Sequence, residues 1–371
     1  MLLFLAKNFS DLPLVSAFTY TTTRSLFAFF TAFVLSLIFG RPLFKLLYLN
    51  GYKDYPREYG EDTVGSKKYT PQMGGMLIAV TGLLSMLLWT DLLSPRIWLI
   101  FGAIFLFGGI GYFDDTAKKD AQDADKGIGR PAKIIPQAIY GVLLGVWAWQ
   151  NWFDIFPIIN GTHFGLGVYL PFRKDVWLVV AGPVMILLTV VWSIIFSNAV
   201  NYTDGRDGML IVPALFCFVV IGMYTFVIGN NNVADYLLFP FLDGAHELTV
   251  VCAAFIGGCL GFLWFNCFPA EVFMGDFGAL LIGGVLLTIA FLIHQEFILC
   301  LAGGIILFQF TTSALQDYIF LRRKKMRLFR GAPFHEGLVS SYKMAEAKVV
   351  VRYWIVSAIL AAFCLVALKI R

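Results

Sequence analysis

Charged residues are scarce in this sequence. Aspartate, glutamate, lysine and arginine make up 14% of its 371 residues, whereas 59% are hydrophobic and the mean hydropathy is +0.76. Soluble domains usually carry about a quarter charged residues, so the composition excludes a soluble globular protein. The same hydrophobicity excludes an intrinsically disordered chain. We therefore predict an integral membrane protein that contacts the lipid bilayer along most of its length.

Cysteine is scarce as well. The six cysteines lie mostly inside apolar runs and form no CxxC pair, so we interpret them as buried, reduced residues and not as disulfides or zinc ligands. The first residues lack a basic segment ahead of their short apolar part, which argues against a cleavable signal peptide.

Long apolar runs dominate the chain instead. A helix needs roughly 20 apolar residues to cross the hydrocarbon core, which gives about ten spans here. The predicted fold is an all-α membrane protein, with one multi-span domain over residues 1–371. The spans are predicted near residues 24–43, 72–90, 96–113, 134–152, 176–196, 209–228, 248–265, 277–293, 297–320 and 349–368.

Lysine and arginine are distributed unevenly between the loops. The loops after the first, third, fifth, seventh and ninth spans together carry most of them, including the dense run 322–330. Because basic loops stay in the cytoplasm, we predict that these loops are cytoplasmic and that both termini lie outside. The dense polar clusters lie in the same loops, so the active site is predicted on this basic face.

Two of these clusters lie in the first half of the chain. Lys67 and Lys68 begin the stretch KKYTPQMGG, where they suit phosphate binding, although anchoring of a helix end explains them at least as well. Asp114 and Asp115 end the third span and are followed by Lys118. The helix dipole disfavours carboxylates at a helix C-terminus, so this pair favours metal binding or proton transfer over a solvated turn.

Two further clusters follow. The stretch NYTDGRDG, at 201–208, places Asp204 and Asp207 between two apolar runs, where acids are rarely kept without a use; a polar spacer between helices is the alternative. The stretch 266–278 carries Asp276 just before an apolar helix. This aspartate resembles an N-cap and equally suits Mg²⁺.

Carboxylates and lysines, in a chain without a serine or cysteine nucleophile motif, suit a magnesium-dependent reaction on phosphates. Phe273 offers a face on which a flat ring could stack, and His335 lies in a basic loop, where a histidine is usually solvated. The candidate residues on this reasoning are Asp114, Asp115, Asp204, Asp207, Asp276, Lys67, Lys68, Lys118, Lys126, Lys133 and His335.

The motifs are similar to those of a bacterial family, the phospho-N-acetylmuramoyl-pentapeptide transferases. KKYTPQMGG resembles the family's lysine-containing TPTMGG segment, and FDD at 113–115 resembles its Asp-Asp motif. NAVNYTDGRDG resembles NAVNLTDGLDG, and GFLWFNCFPAEVFMGD resembles GFLWFNxxPAxVFMGD. RGAPFH and the later AEAKVVVRYWI resemble the histidine loop and final helix. The resemblance covers nearly the whole chain, and FLWFN together with FMGD is highly specific.

This resemblance implies an enzyme of peptidoglycan synthesis. Such an enzyme joins UDP-MurNAc-pentapeptide to undecaprenyl phosphate with Mg²⁺, giving lipid I and UMP. The resemblance also implies a multi-pass protein of the cell inner membrane that forms a homodimer, and no nucleic-acid partner is expected.

Residue roles follow from the same resemblance. Asp276 corresponds to the magnesium ligand, Asp204 to a further catalytic position, and Asp114 and Asp115 to the pair near the lipid phosphate, with Asp114 the candidate base. The implied substrate-binding residues are Lys67, Lys118, Lys126, Lys133, Asn201, Asp207, Asn266, Phe273, which would stack near uracil, and His335.

Several positions depart from the family pattern, among them Gln72 in TPQMGG and one extra residue in the loop before Ala345-Glu346. The family's three consecutive histidines become His335-Glu336-Gly337, and the leucine between the two aspartates becomes Arg206. Glu336 is expected to alter substrate contacts in the histidine loop. Because the main Asp and Lys groups remain, activity is still expected.

Two other functions fit part of the sequence. A related transferase that uses a UDP-N-acetylhexosamine would share the Asp motifs, although FLWFN and the His335 loop disfavour it. A transporter would line an ion path with acids inside its spans. Here the acids gather at one face, with Asp317 as the notable exception.

Overall fold

A computed structural model describes residues 16–54, 70–123, 126–150, 158–159, 162–316 and 331–370. Within these ranges the chain is almost entirely helical. The helices are α1 (Thr21–Leu49), α2 (Met76–Trp89), α3 (Pro95–Ala121), α4 (Arg130–Gln150), α5 (Gly182–Thr203), α6 (Ile211–Ile228), α7 (Asn231–Leu237), α8 (His246–Asn266), α9 (Gly275–Leu292), α10 (Glu296–Ala302), α11 (Gly304–Ala314), α12 (Phe334–Ser340) and α13 (Glu346–Val366). Short 3₁₀ turns occupy Ala17–Thr19 and Phe164–Leu166. Two antiparallel strand pairs join β1 (Ile158–Ile159) to β2 (Thr162–His163) and β3 (Gly167–Val168) to β4 (Leu178–Val179).

Eight of the described helices are long and apolar enough to cross a membrane. Helix α2 is apolar but shorter, and α10 and α11 form a broken span with a bend of 82° between them. Each of the ten predicted spans corresponds to one of these helices or to the bent pair. The prediction of an all-α, multi-pass membrane protein is therefore confirmed.

Two helix boundaries differ from the prediction. Helix α3 continues to Ala121, well past the predicted end at residue 113, and its last turn carries two lysines that complement the helix dipole. Helix α5 begins at Gly182 and not near residue 176, because β4 precedes it and pairs with β3. Pro183 then sits in the first turn, where proline suits a helix start.

Helix α9 lies at the centre of the bundle, with 83% of its apolar window buried. It packs most extensively against α3 and α5, and it also contacts α2, α6 and α10. Small residues allow such close approach. A Cβ atom on Gly111 of α3 would lie 2.3 Å from the Cα of Phe277 in α9. The backbones therefore touch where α9 begins, beside Asp114 and Asp115 of α3.

A buried ion pair joins three helices at the opposite end of the molecule. The guanidinium of Arg24 in α1 donates to both carboxylate oxygens of Glu247 in α8, at 2.8 and 2.6 Å. It also donates to the carbonyl of Trp89, the last residue of α2, at 3.1 Å. Buried charges persist only with such partners, so this pair fixes α1, α2 and α8 together far from the start of α9.

Candidate active site

Three carboxylates from distant parts of the sequence meet at the start of α9. Asp114 and Asp115 come from α3, and Asp276 lies in the first turn of α9. One oxygen from each side chain lies within 4.8 Å of the other two. We call these three residues the carboxylate cluster.

Asp115 caps α9 from another helix. Its two carboxylate oxygens accept the backbone N–H groups of Asp276 and Phe277, at 3.1 and 3.0 Å. The first N–H groups of a helix have no partner within the helix, and negative charge there is favoured by the helix dipole. The prediction of Asp276 as the N-cap is wrong, because the helix begins at Gly275 and the capping carboxylate belongs to Asp115.

Two lysines bridge the other members of the carboxylate cluster. The Nζ atom of Lys118 lies 2.8 Å from Asp114 Oδ2 and 2.9 Å from Asp276 Oδ1. The Nζ atom of Lys133 lies 3.0 Å from Asp114 Oδ1 and 2.7 Å from Asp276 Oδ2. Three carboxylates therefore face two ammonium groups. Because these groups are largely buried, water and salt screen them less than surface charges.

Asn201, at the end of α5, reaches the same cluster. Its side-chain amide donates to Asp276 Oδ2 at 3.1 Å. The backbone N–H of Ile128, in the loop before α4, donates to Asp114 Oδ1 at 2.8 Å. The structure thus brings Asp114, Asp115, Asp276, Lys118, Lys133 and Asn201 together.

Asp207 and Asn266 connect the loop before α6 to the loop before α9. Asp207 is buried and accepts the backbone N–H of Ala270 at 3.2 Å. Asn266 is also buried, and it accepts the N–H of Gly208 at 3.0 Å while donating to the carbonyl of Val272 at 2.8 Å. Both residues thus shape the two loops, and their role as substrate ligands stays a prediction.

Asp204 and Phe273 lie on the same two loops and are half-buried. Asp204 is the C-cap residue that follows α5. The N–H of Phe273 donates to the carbonyl of Pro71 at 2.9 Å, and its carbonyl accepts the N–H of Gly74 at 2.8 Å. These bonds bring the TPQMGG stretch against the start of α9. Catalysis by Asp204 and stacking by Phe273 remain predictions.

His335 is buried, with only 1% of its surface exposed, so the interpretation of a solvated loop histidine is wrong. Its Nδ1 lies 3.4 Å from Oε1 of Gln309 in α11, and Gln309 also hydrogen-bonds the hydroxyl of Tyr353 in α13. Gln309 is not among the residues that the sequence motifs identify. A polar side chain inside an apolar span was the signal that could have identified it.

The contacts of Lys126 differ from those of the two bridging lysines. The ammonium group of Lys126 is mostly exposed and pairs with Asp123 Oδ2 at 3.1 Å. Lys67, like Lys68, lies outside the described residues.

The chemistry of the carboxylate cluster fits Mg²⁺. This ion takes oxygen ligands, typically one or two carboxylates completed by water and substrate phosphate. Asp114, Asp115 and Asp276 offer three such oxygens close together. The two lysines beside them add positive charge for phosphate groups.

A comparison with known families gives an independent result. The sequence model described as glycosyl transferase family 4 matches residues 97–294, which is 198 of the 371 residues. The matched segment runs from α3 to the end of α9. It contains the whole carboxylate cluster, both bridging lysines and Asn201, whereas His335 and α13 lie beyond it.

Proposed function

The chain belongs to glycosyl transferase family 4, and on this basis we propose that it transfers phospho-MurNAc-pentapeptide from UDP-MurNAc-pentapeptide to undecaprenyl phosphate. The family assignment supports the coarser activity, a glycosyl-1-phosphate transferase acting on a polyprenyl phosphate. The muramoyl donor, the inner membrane as location, and a homodimeric state are the finer parts of the proposal.

One observation carries the proposal: the carboxylate cluster and its two lysines at the ends of membrane-spanning helices. A diphosphate donor and a lipid phosphate both bring negative charge to the reaction. Phosphoryl transfer depends on positioning these groups and stabilising their charge. The site lies on the basic face, where a soluble nucleotide from the cytoplasm and a lipid headgroup can meet.

In the proposed reaction a phosphate oxygen of undecaprenyl phosphate forms a bond to the β-phosphorus of the donor. The bond from this phosphorus to the bridging oxygen breaks, and that oxygen leaves with UMP. Asp114 serves as candidate base for the lipid phosphate, with Asp204 a further catalytic group. Lys118 and Lys133 hold the phosphates in this proposal. A phosphate contact by Lys126 is implied by the resemblance alone.

Asp276, with Asp114 and Asp115 nearby, would hold the metal. Bound Mg²⁺ supplies neutralisation of the diphosphate charge. Lys67, Asn201, Asp207, Asn266, Phe273 and His335 are proposed to bind the nucleotide and sugar-peptide parts of the donor.

The muramoyl donor rests on the motif resemblance, above all on FLWFN, FMGD and the His335 loop. A direct comparison of donors tests it. Purified protein is supplied with Mg²⁺, undecaprenyl phosphate and either UDP-MurNAc-pentapeptide or UDP-N-acetylglucosamine, and UMP and the lipid product are measured. We expect turnover with the muramoyl donor only.

Turnover with UDP-N-acetylglucosamine alone would contradict the muramoyl assignment and leave the family activity intact. Absence of turnover with both donors, in folded protein beside an active relative, would contradict the transferase proposal.

A further inference from the structure

Arg206 forms an ion-pair triad with two glutamates from later elements, and all three residues are partly buried. Its Nη2 lies 2.8 Å from Oε2 of Glu336 in α12, and its Nη1 lies 2.6 Å from Oε1 of Glu346 in α13. Only 10% of the Arg206 side chain is exposed. Two carboxylates already satisfy its charge, so the guanidinium is committed to this triad and not to lipid headgroups or a diphosphate.

Glu336 links this triad to His335. Its Oε1 lies 3.4 Å from His335 Nε2, while its other oxygen pairs with Arg206. Burial alone would raise the pKa of the Glu336 carboxyl, but His335 and Arg206 together lower it to about 2. Glu336 therefore stays ionised at neutral pH and contacts both groups at once.

The histidine ring in turn packs on the loop that carries Arg206. A Cβ atom on Gly205 would lie 2.3 Å from His335 Nε2, so the ring occupies the space that a side chain at 205 would fill. Asp204 precedes this glycine directly. The position of His335 thus depends on how α12 is seated against this loop.

Apolar contacts alone do not fix that seating. Leu338 and Val339 of α12 pack on a small cluster formed by Met209, Val349 and Tyr353 with their neighbours. Apolar contact is non-directional, whereas charged hydrogen bonds of a guanidinium to carboxylates define a geometry. The triad supplies that geometry for a helix of only seven residues.

We propose that Arg206 is a positioning residue for donor binding: by joining Glu336 and Glu346 it holds α12, and with it His335, against the loop of Asp204. This role rests on the proposed function, in which His335 and Asp207 bind the donor. Arg206 and Glu336 are also two of the exchanges that depart from the family pattern. The structure makes them partners, so they act as one coupled exchange.

A double-substitution cycle tests this role. Arg206→Leu, Glu336→Gln and the double variant are compared with the wild type for KM of UDP-MurNAc-pentapeptide, kcat, and thermal stability. We expect each single variant to raise the donor KM about tenfold with little change in kcat. Because contacting charged residues couple strongly, the donor KM of the double variant should rise about as much as in one single variant, and not by the product of the two factors. Lys348→Leu, which removes an exposed charge from the same helix as Glu346, should leave both constants unchanged.

Arg206→Lys gives a second, milder test in case Arg206→Leu does not fold. Lysine keeps the charge but cannot reach both carboxylates with a planar fork, so an intermediate rise in KM is expected. Two outcomes would overturn the positioning role while wild-type turnover upholds the proposed function. One is an unchanged donor KM in Arg206→Lys and in any folded Arg206→Leu protein. The other is independent, multiplicative effects of the Arg206→Leu and Glu336→Gln substitutions. A wild type without turnover would instead overturn the proposed function and this role with it.

Discussion

Lys118 and Lys133 each contact two carboxylates, and this double contact explains how three acids coexist in a largely buried place. Like charges brought together out of water repel strongly. The two ammonium groups offset most of that repulsion and leave a formal excess of one negative charge over the cluster. We expect such an excess to attract a divalent cation.

Removing one bridging lysine should therefore make the protein depend more on the cation. In Lys133→Met without Mg²⁺ we expect a loss of about 2 kcal/mol of stability, a typical value for lost charged hydrogen bonds. Adding millimolar Mg²⁺ should restore more of the melting temperature than it adds to the wild type, because the cluster is then more negative.

The measurement is thermal unfolding of purified protein with and without Mg²⁺. Lys119→Met is the matched control, since Lys119 follows Lys118 on α3 but pairs with Asp120, at 3.5 Å, outside the cluster. An equal Mg²⁺-induced shift in Lys133→Met and the wild type would contradict this account of the charge balance.

At the scale of elements, the site exists because α3 and α9 touch. A Cβ atom at Gly111 would lie 2.3 Å from Phe277 Cα and 2.5 Å from the Asp276 carbonyl oxygen. Both are backbone atoms, so a side-chain rotation cannot relieve the clash. Gly109 lies two residues earlier on the same helix, and a Cβ there meets nothing within 4 Å. Substitution of Gly109 is therefore a matched control for substitution of Gly111.

Gly111→Ala should separate α3 from α9 and displace the Asp115 cap. Overpacking of this kind costs about 1–3 kcal/mol, and turnover should fall at least about tenfold because catalytic groups tolerate little displacement. Gly109→Ala should be neutral or slightly stabilising, since alanine favours a helix over glycine by about 1 kcal/mol. Melting temperature and UMP release check both, and equal behaviour of the two variants would contradict the close-contact explanation.

The sequence predicted the elements well and their mutual contacts poorly. Hydrophobic run length and basic loops are local properties, so the spans and the basic face could be read directly. The capping of α9 by Asp115 could not be predicted in this way, because the N–H groups that Asp115 accepts are 161 and 162 residues away in the sequence. The burial of His335 and its contacts to Gln309 were missed for the same reason, since a local pattern does not say which distant side chain fills a space.

At the scale of the whole molecule, sidedness is the prediction that most needs a direct test. Among the six cysteines, Cys267 is exposed, Cys300 is half-buried, and the other four are buried. Cys267 is the C-cap residue that follows Asn266 of α8, on the predicted basic face. If that face is cytoplasmic, this thiol is reachable only from the cytoplasmic side.

A membrane-impermeant maleimide should therefore label the protein in inverted vesicles and not in right-side-out cells. Cys267→Ser should abolish that labelling and so identify the reactive thiol. Labelling of Cys267 from outside would contradict the predicted orientation, because the proposed site would then lie on the side opposite to a cytoplasmic nucleotide.

The central claim is that the carboxylate cluster carries a Mg²⁺-dependent transfer of a sugar-1-phosphate to a polyprenyl phosphate. Its most direct test is UMP release by wild type, Asp276→Asn and Asp235→Asn, measured against Mg²⁺ concentration with UDP-MurNAc-pentapeptide and undecaprenyl phosphate. Asp235 is an exposed acid on α7, away from the carboxylate cluster. We predict Mg²⁺-dependent release by wild type and Asp235→Asn, and loss of at least about a hundredfold in folded Asp276→Asn, since metal contacts contribute several kcal/mol to the barrier. UMP release at the wild-type rate by folded Asp276→Asn would contradict the claim. Release by the wild type that does not depend on Mg²⁺ concentration would contradict it as well.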